Sequence, residues 1–309
     1  MKFFTLLHLK ESEKSLHNDS VNSFRDQINL YLQCVIRLDK SLKKTGSTLS
    51  IVTNEASYLR NLLKDYPLEI IEIEFRLEVP SGISYFSSHF KIDVFRYFAS
   101  LNEKYVFLID NDITCLNNTP AHLKGIIELG IPMFYDVTNQ IVPSETRAVV
   151  LRDKQKVSSD NLIGLWFGGE FMAGPPSYFR DLVNEIDKIK DSYFSNYASL
   201  FHASDEMLSA VAIERMIIKG YKILDAGGLD IIGRFWSPKP RHSQRPFDAY
   251  RNHFLLHLPS DKRFLISLDD GDLEKDIFIS KYKKYLQKRR IRTFASKIKN
   301  SIVTKELKK

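Results

Sequence analysis

The sequence predicts an α/β fold: a Rossmann-like sheet flanked by helices, followed by a basic helical tail. Three observations predict it. Short apolar runs alternate with longer stretches whose apolar residues recur every three to four positions, the pattern of strands joined by crossover helices. One apolar run, YVFLI at 105–109, ends in Asp110 and Asp112, and ligands of such sheets bind beyond the carboxyl ends of the strands. The charge is also unevenly placed, with the basic residues concentrated at the carboxyl end.

The elements follow in order. Residues 3–9, FFTLLHL, read as a first strand, too short and without the small-residue cleavage site of a signal peptide. Residues 22–44 carry helical periodicity, with Gly46 to stop the helix. STLSIVTN (47–54) is a strand, ASYLRNLLKDY (56–66) a helix and LEIIEIEF (68–75) a strand. Residues 87–102 look helical and lead into the strand at 105–109. IPMFYDV (131–137) and GGEFMAG (168–174) are strands, about 176–190 and 204–219 are helices, and YKILDA (221–226) closes the series. There is no internal repeat, and the one shift in composition divides the chain into a body, 1–270, and a tail, 271–309.

Composition narrows the classes. A hydrophobic fraction of 43% over 309 residues supports a packed core, and no run reaches the roughly 18 apolar residues that span a bilayer. Cys34 and Cys115 are too few for a disulfide framework, which fits a cytoplasmic setting with both thiols reduced. The net charge of +7 is a composite. Residues 275–309 hold thirteen Lys or Arg against Asp276 and Glu306, a net of +11, so the other 274 residues carry 32 basic and 36 acidic side chains, a net of −4. A basic tail on a mildly acidic body is an address for an anionic surface or simply a solvated helix.

Asp-x-Asp brings two hard oxygen ligands together, the means by which Mg²⁺ or Mn²⁺ is held against substrate phosphates. A rival acidic cluster, Asp269, Asp270 and Asp272, surrounds Gly271 and reads as a turn with a helix cap. Upstream, Phe90, Val94, Phe98 and Leu101 form a helical stripe, with Asp93 and Arg96 on its flank. They are either a surface ion pair, or a carboxylate for a ribose hydroxyl and an arginine for a phosphate or base. His253 and His257 have a zinc-compatible spacing but lack the Glu of H-E-x-x-H and clustered cysteines. Asp205 and Glu206 follow Ser204 at a helix start, where they suit an N-cap as well as a cleft. Gly168 and Gly169 permit close backbone approach to a sugar, or mark a bulge.

In its ordered motifs the chain resembles metal-dependent glycosyltransferases of the GT-A fold. D-x-x-R-Y-F-x-x-L followed by an apolar strand ending in D-x-D is similar to the core of the DXD sugar-binding family and of the glycogenin and lipopolysaccharide galactosyltransferase family. HFLLHLPSDKRF resembles the latter's H-x-x-G-x-x-K segment, although no glycine follows His257, Lys262 stands one residue early and Arg263 has the family's spacing. FHASDEML resembles the H-D-E helix start of the blood-group-type transferases, with His202 two residues further away, and the D-Q-D of the galactosyltransferase type, and GLWFGGEFMAGPP resembles the Gly-rich strand of these families. The resemblance implies a GT-A-type mixed sheet. It implies Asp93 and Arg96 at the nucleoside, and Asp110, Asp112 and His257 holding Mn²⁺ or Mg²⁺ on the donor diphosphate, with Asp110 also at the donor. Lys262 or Arg263 would grip the diphosphate, Gly168 and Gly169 would line the sugar, and Asp205 and Glu206 would be the catalytic carboxylates. The implied donor is a nucleotide sugar, UDP-linked. The implied acceptor is a saccharide or lipid-linked glycan of cell-surface polysaccharide or lipopolysaccharide synthesis, with retention of anomeric configuration.

The tail mixes Phe278, Ile279, Tyr282, Tyr285, Leu286 and Phe294 with its lysines, which suits a peripheral enzyme at the inner face of an anionic membrane through residues 275–309. GRFWSPKPRH, with Arg234, Trp236, Arg241 and His242, reads as an acceptor-site loop or an ordinary surface loop. The alternatives are a non-catalytic protein, a nucleic-acid-binding protein acting through the tail, and a sugar-nucleotide pyrophosphorylase. The acidic body opposes a wide nucleic-acid face, so nucleic acid is not an expected partner. The pyrophosphorylase lacks its Gly-rich loop after the first strand, because the first glycine is Gly46. No dinucleotide, P-loop or serine-hydrolase motif occurs.

Overall fold

The computed structural model describes residues 1–13, 21, 23–64, 66–141 and 146–306, with side chains through residue 291. The first half runs β1 (Lys2–Leu7), α1 (Phe24–Lys43), β2 (Thr48–Thr53), α2 (Ala56–Leu63), β3 (Glu69–Glu72), α3 (Lys91–Ser100), β4 (Val106–Ile109), β5 (Ile113–Cys115) and α4 (Ala121–Glu128). The second runs β6 (Met133–Asp136), α5 (Arg147–Val157), β7 (Phe167–Gly174), α6 (Pro176–Asn196), α7 (Asp205–Ile218), β8 (Leu224–Asp225), β9 (Ile232–Arg234), β10 (Leu255–His257), α8 (Lys262–Ile266) and α9 (Lys275–Glu306).

Seven strands form one mixed sheet in the order β3-β2-β1-β4-β7-β6-β8. β1 to β4 are mutually parallel, as the alternation of strand and helix requires. β7 then lies antiparallel to both β4 and β6. Strand β4 is buried at every position because helices cover both faces. A second, three-stranded sheet, β5-β10-β9, begins directly after Asp112. The aspartates therefore stand where the chain leaves one sheet for the other.

Local chemistry sets the element ends. α1 starts where the Asp26 amide donates to Ser23 Oγ at 3.1 Å. The helix expected at 87–102 begins at Lys91, after a 3₁₀ turn over Phe86–Phe90. The strand expected at 68–75 pairs only over Glu69–Glu72, at the sheet edge, and YKILDA pairs only over Leu224–Asp225. α6 runs past the expected end to Asn196. The cluster Asp269, Asp270, Asp272 is a turn with a cap: Asp269 and Asp272 form a capping box, and Asp270 pairs with Arg37 at 3.0 Å and Lys40 at 2.6 Å.

The main core fills both faces of the large sheet. A second cluster lies beside the small sheet and joins Phe235, Phe247, Leu256 and Phe264 to Phe278, Ile279 and Tyr282 of α9. The first turns of α9 thus belong to the packed body rather than to a separate tail. Burying each such aromatic contributes about 1.5–3 kcal/mol. Phe294 lies beyond the residues whose side chains are described.

Candidate active site

Backbone pairing brings distant residues to the end of β4. The Asp110 amide donates to the Glu170 carbonyl of β7 at 3.1 Å, and the Leu258 amide donates to the Asp112 carbonyl at 3.0 Å. The second bond, with the pairing of His257 opposite Ile113, seats His257 beside Asp112. One side-chain atom from each of Asp110, Asp112 and His257 lies within 4.8 Å of the others, the only group of this kind among the described residues.

Asp112 is 4% exposed and doubly partnered. His257 Nε2 lies 2.9 Å from its Oδ1, and Lys262 at the start of α8 donates to Oδ2. Burial would push the Asp112 carboxyl up, but Lys262 and His257 outweigh it and hold the group below the usual carboxylate range. Burial would likewise lower His257, yet Asp112 and Glu170 raise it to about 9. Asp110 is raised, because burial outweighs its partner Lys91. Lys91 Nζ lies 2.9 Å from Asp110 and 3.5 Å from Asp205, and it donates to the Gly169 carbonyl at 2.7 Å. Lys91 is itself raised: those carboxylates overcome its burial.

The donor set fits a hard divalent cation. Two carboxylates and an imidazole are ligands for Mn²⁺ or Mg²⁺. The 2.9 Å between His257 Nε2 and Asp112 Oδ1 is close to the roughly 3 Å between adjacent ligands of an octahedron with bonds of about 2.1 Å. The other ring nitrogen, Nδ1, faces Glu170 Oε1 at 3.2 Å. Burial opposes ionisation of Glu170, but Arg234 and His257 depress it to about 2, so it is an acceptor for Nδ1–H of the ring.

Asp110 and His257 open on a cleft of about 390 Å³, which Gly169, Asp205 and Glu206 line with them, whereas the buried Asp112 is not part of the lining. Asp205 and Glu206 head α7, where Ser204 Oγ accepts from the Glu206 amide at 3.2 Å, so the cap and the cleft positions coexist. Glu206 accepts from Trp166 Nε1 at 2.9 Å and from the Gly169 amide at 3.1 Å. The glycines make room for carboxylates. A Cβ at Gly168 would lie 2.2 Å from Glu170 Oε2, and one at Gly169 would lie 2.8 Å from Asp205 Oδ2.

Other expected residues sit elsewhere. Asp93, 3% exposed, accepts from the Arg76 and Leu77 amides at 3.1 and 3.0 Å and from Arg96 at 3.2 Å. Arg96 also reaches Asp187 of α6 at 2.5 Å. Neither residue lines the cleft, and the pair has the ion-pair geometry. Arg263 is exposed on α8, and Lys262, on Asp112, is the cation nearer the metal-ligand cluster. His253 lies 3.4 Å from Asp230 instead of joining His257. Arg234, Trp236 and His242 line the cleft, whereas Arg241 is exposed and does not.

Sequence reasoning missed Lys91, Glu170 and Trp166. Glu170 had a signal: it is the one charge inside the buried strand GGEFMAG, and a carboxylate there needs partners. Lys91 had none, since a lone lysine opening an amphipathic helix reads as solvated.

No protein-family model matches the chain, and no curated protein matches its sequence. Among solved structures it is similar to the galactosyltransferase LgtC in complex with donor and acceptor sugar analogs, at 11% identity and TM-score 0.47 over 89% of this chain and 100% of that one. An active-site mutant of LgtC gives the same values. Mouse xyloside xylosyltransferase 1 in its apo form is similar at 10% identity and TM-score 0.44, over 85% and 99% of the two chains.

Proposed function

We propose that the chain is a glycosyltransferase that moves a sugar from a nucleotide diphosphate donor, UDP-linked, to a saccharide or lipid-linked acceptor. The observation that carries this reading is the Asp110–Asp112–His257 cluster at the carboxyl end of β4, opening on a cleft that also holds Asp205, Glu206 and Arg234. Asp110, Asp112 and His257 would hold Mn²⁺ or Mg²⁺, which supplies Lewis-acid stabilisation of a departing diphosphate. Lys262, now balanced against Asp112, adds a cation for the same charge, with Arg263 one residue further on α8.

In the reaction the bond from the anomeric carbon to the phosphate oxygen breaks and its electron pair leaves with the diphosphate. An acceptor hydroxyl oxygen bonds the anomeric carbon and gives up its proton. Asp205 and Glu206 are the carboxylates placed to steady the positive sugar or take that proton. Gly168 and Gly169 would serve the sugar, and Asp93 and Arg96, outside the cleft lining, would act at the nucleoside end only through the 76–77 backbone that Asp93 holds. Retention of configuration is the outcome the motif resemblance favours.

No described helix is long and apolar enough to cross a membrane. Of residues 275–309, the basic part beyond the packed first turns of α9 would dock the enzyme on an anionic membrane at its inner face, where glycans of polysaccharide or lipopolysaccharide synthesis are presented. A panel of UDP-sugars, assayed for UDP release with Mn²⁺, tests the reading. At least one donor should be turned over, and Asp112→Asn should cut the rate about 10²–10³-fold. No turnover with any nucleotide sugar, or an unaffected variant, would refute it.

A further inference from the structure

We propose that Glu170 is a positioning residue of the metal site: it holds the Nδ1–H of His257 so that Nε2 is presented beside Asp112, and Arg234 balances its charge. The proposal rests on the reading of Asp110, Asp112 and His257 as ligands. Neither the motifs nor the comparisons assign Glu170 a role.

Glu170 lies within β7, whose next residue, Phe171, pairs with Ile109 at the end of β4. Its carboxylate is 2% exposed, and a buried charge of this kind is tolerated only with partners. It has two. Oε1 lies 3.2 Å from His257 Nδ1 and 3.3 Å from Arg234 Nη1, and Oε2 lies 3.4 Å from that same guanidinium nitrogen. Arg234 is itself anchored, donating through Nε to Gln140 at 3.0 Å. The imidazole is therefore clamped between two carboxylates, Glu170 at Nδ1 and Asp112 at Nε2.

An unclamped imidazole can present either nitrogen, because a ring flip and a tautomer change exchange them. A cation needs the lone pair on the nitrogen that faces Asp110 and Asp112. Once a cation takes the place of the Nε2 proton, an anionic acceptor behind the ring keeps the remaining proton on Nδ1. Gly168 completes the device, because any side chain there would occupy the space of the Glu170 carboxylate. A salt bridge that merely tied β7 to β9 would need Arg234 and Glu170 alone. The shared Oε1 adds the histidine.

The test is Mn²⁺ affinity of the full chain, measured by electron paramagnetic resonance for the wild type, Glu170→Gln and Gly168→Ala. Glu170→Gln should weaken binding 10–100-fold, and Gly168→Ala should weaken it in the same direction. Equal affinity of Glu170→Gln, within twofold, overturns the proposal. A wild type that binds no Mn²⁺ overturns the metal reading itself and this proposal with it, and that arm alone separates the two failures. A purely structural Glu170 would lower thermal stability and leave Mn²⁺ affinity untouched. Should Glu170→Gln fail to fold, the ¹⁵N shifts of His257 in the Mg²⁺-loaded wild type decide. A proton on Nδ1 supports the proposal, and a proton on Nε2 overturns it.

Discussion

Lys154 and Glu214 are both fully buried, and together they show how single charges shape the cleft from behind. Glu214 accepts from the amides of Gly164 and Leu165 at 2.8 and 3.2 Å and from that of Ile163. Lys154 donates to Glu214 at 2.6 Å and to the Leu165 carbonyl. This pair fixes the turn that delivers Trp166 to Glu206. Lys154→Met leaves a buried carboxylate without its cation and should cost about 3–5 kcal/mol in denaturant unfolding. The double variant with Glu214→Gln should cost less than the sum of the two single changes. At this scale the readable residues were charges in apolar surroundings. Asp110 and Asp112 end a buried strand; Glu170, within one, carried the same signal but was passed over. Lys91 and Lys154 were not readable, because a lysine on a helix ordinarily lies in water and only the tertiary structure shows these two buried.

Among elements, β4 was legible as a continuous apolar run buried on both faces, and β1 and β2 as short, mostly buried segments rich in Phe, Leu, Ile and Val between polar flanks. The small sheet was not, because strands of three residues are too short to show a period. His8, just past the end of β1, stacks on Phe90 with ring centroids 3.9 Å apart. Burial, aided by Lys10, lowers its pKa to about 4. The folded value lies below the ordinary one of about 6.5. Its contribution is therefore complete above pH 6.5 and is lost as the pH falls toward 4. His8→Phe should flatten the stability profile across that window relative to the wild type, as read by urea midpoints at each pH. α9 gives a second prediction. Asp261, 1% exposed, accepts from Tyr282 and Tyr285 at 2.6 and 2.8 Å and from Arg289 at 2.8 Å. Truncation after residue 274 removes those donors with Phe278 and Ile279, and should lower stability by several kcal/mol. Truncation after residue 291 keeps them and removes six Lys or Arg. It should leave the thermal midpoint nearly unchanged while weakening co-sedimentation with anionic vesicles.

For the molecule as a whole, the uneven charge and the order of motifs were legible, and so was the mixed α/β architecture. The cleft was not, because its residues come from α3, the turn after β4, β7, α7, β9, β10 and the loops between them, and meet only in the tertiary structure. The switch from one sheet to the other gathers Asp110, Asp112 and His257 with Lys91, Lys262 and Arg234 around them, so that carboxylates and cations alternate. Calorimetric titration of UDP, with and without Mn²⁺, on the wild type and on Asp110→Asn tests the proposed function most directly. Binding should require the metal and disappear in the variant. Binding indifferent to both metal and substitution, or no binding at all, would contradict it.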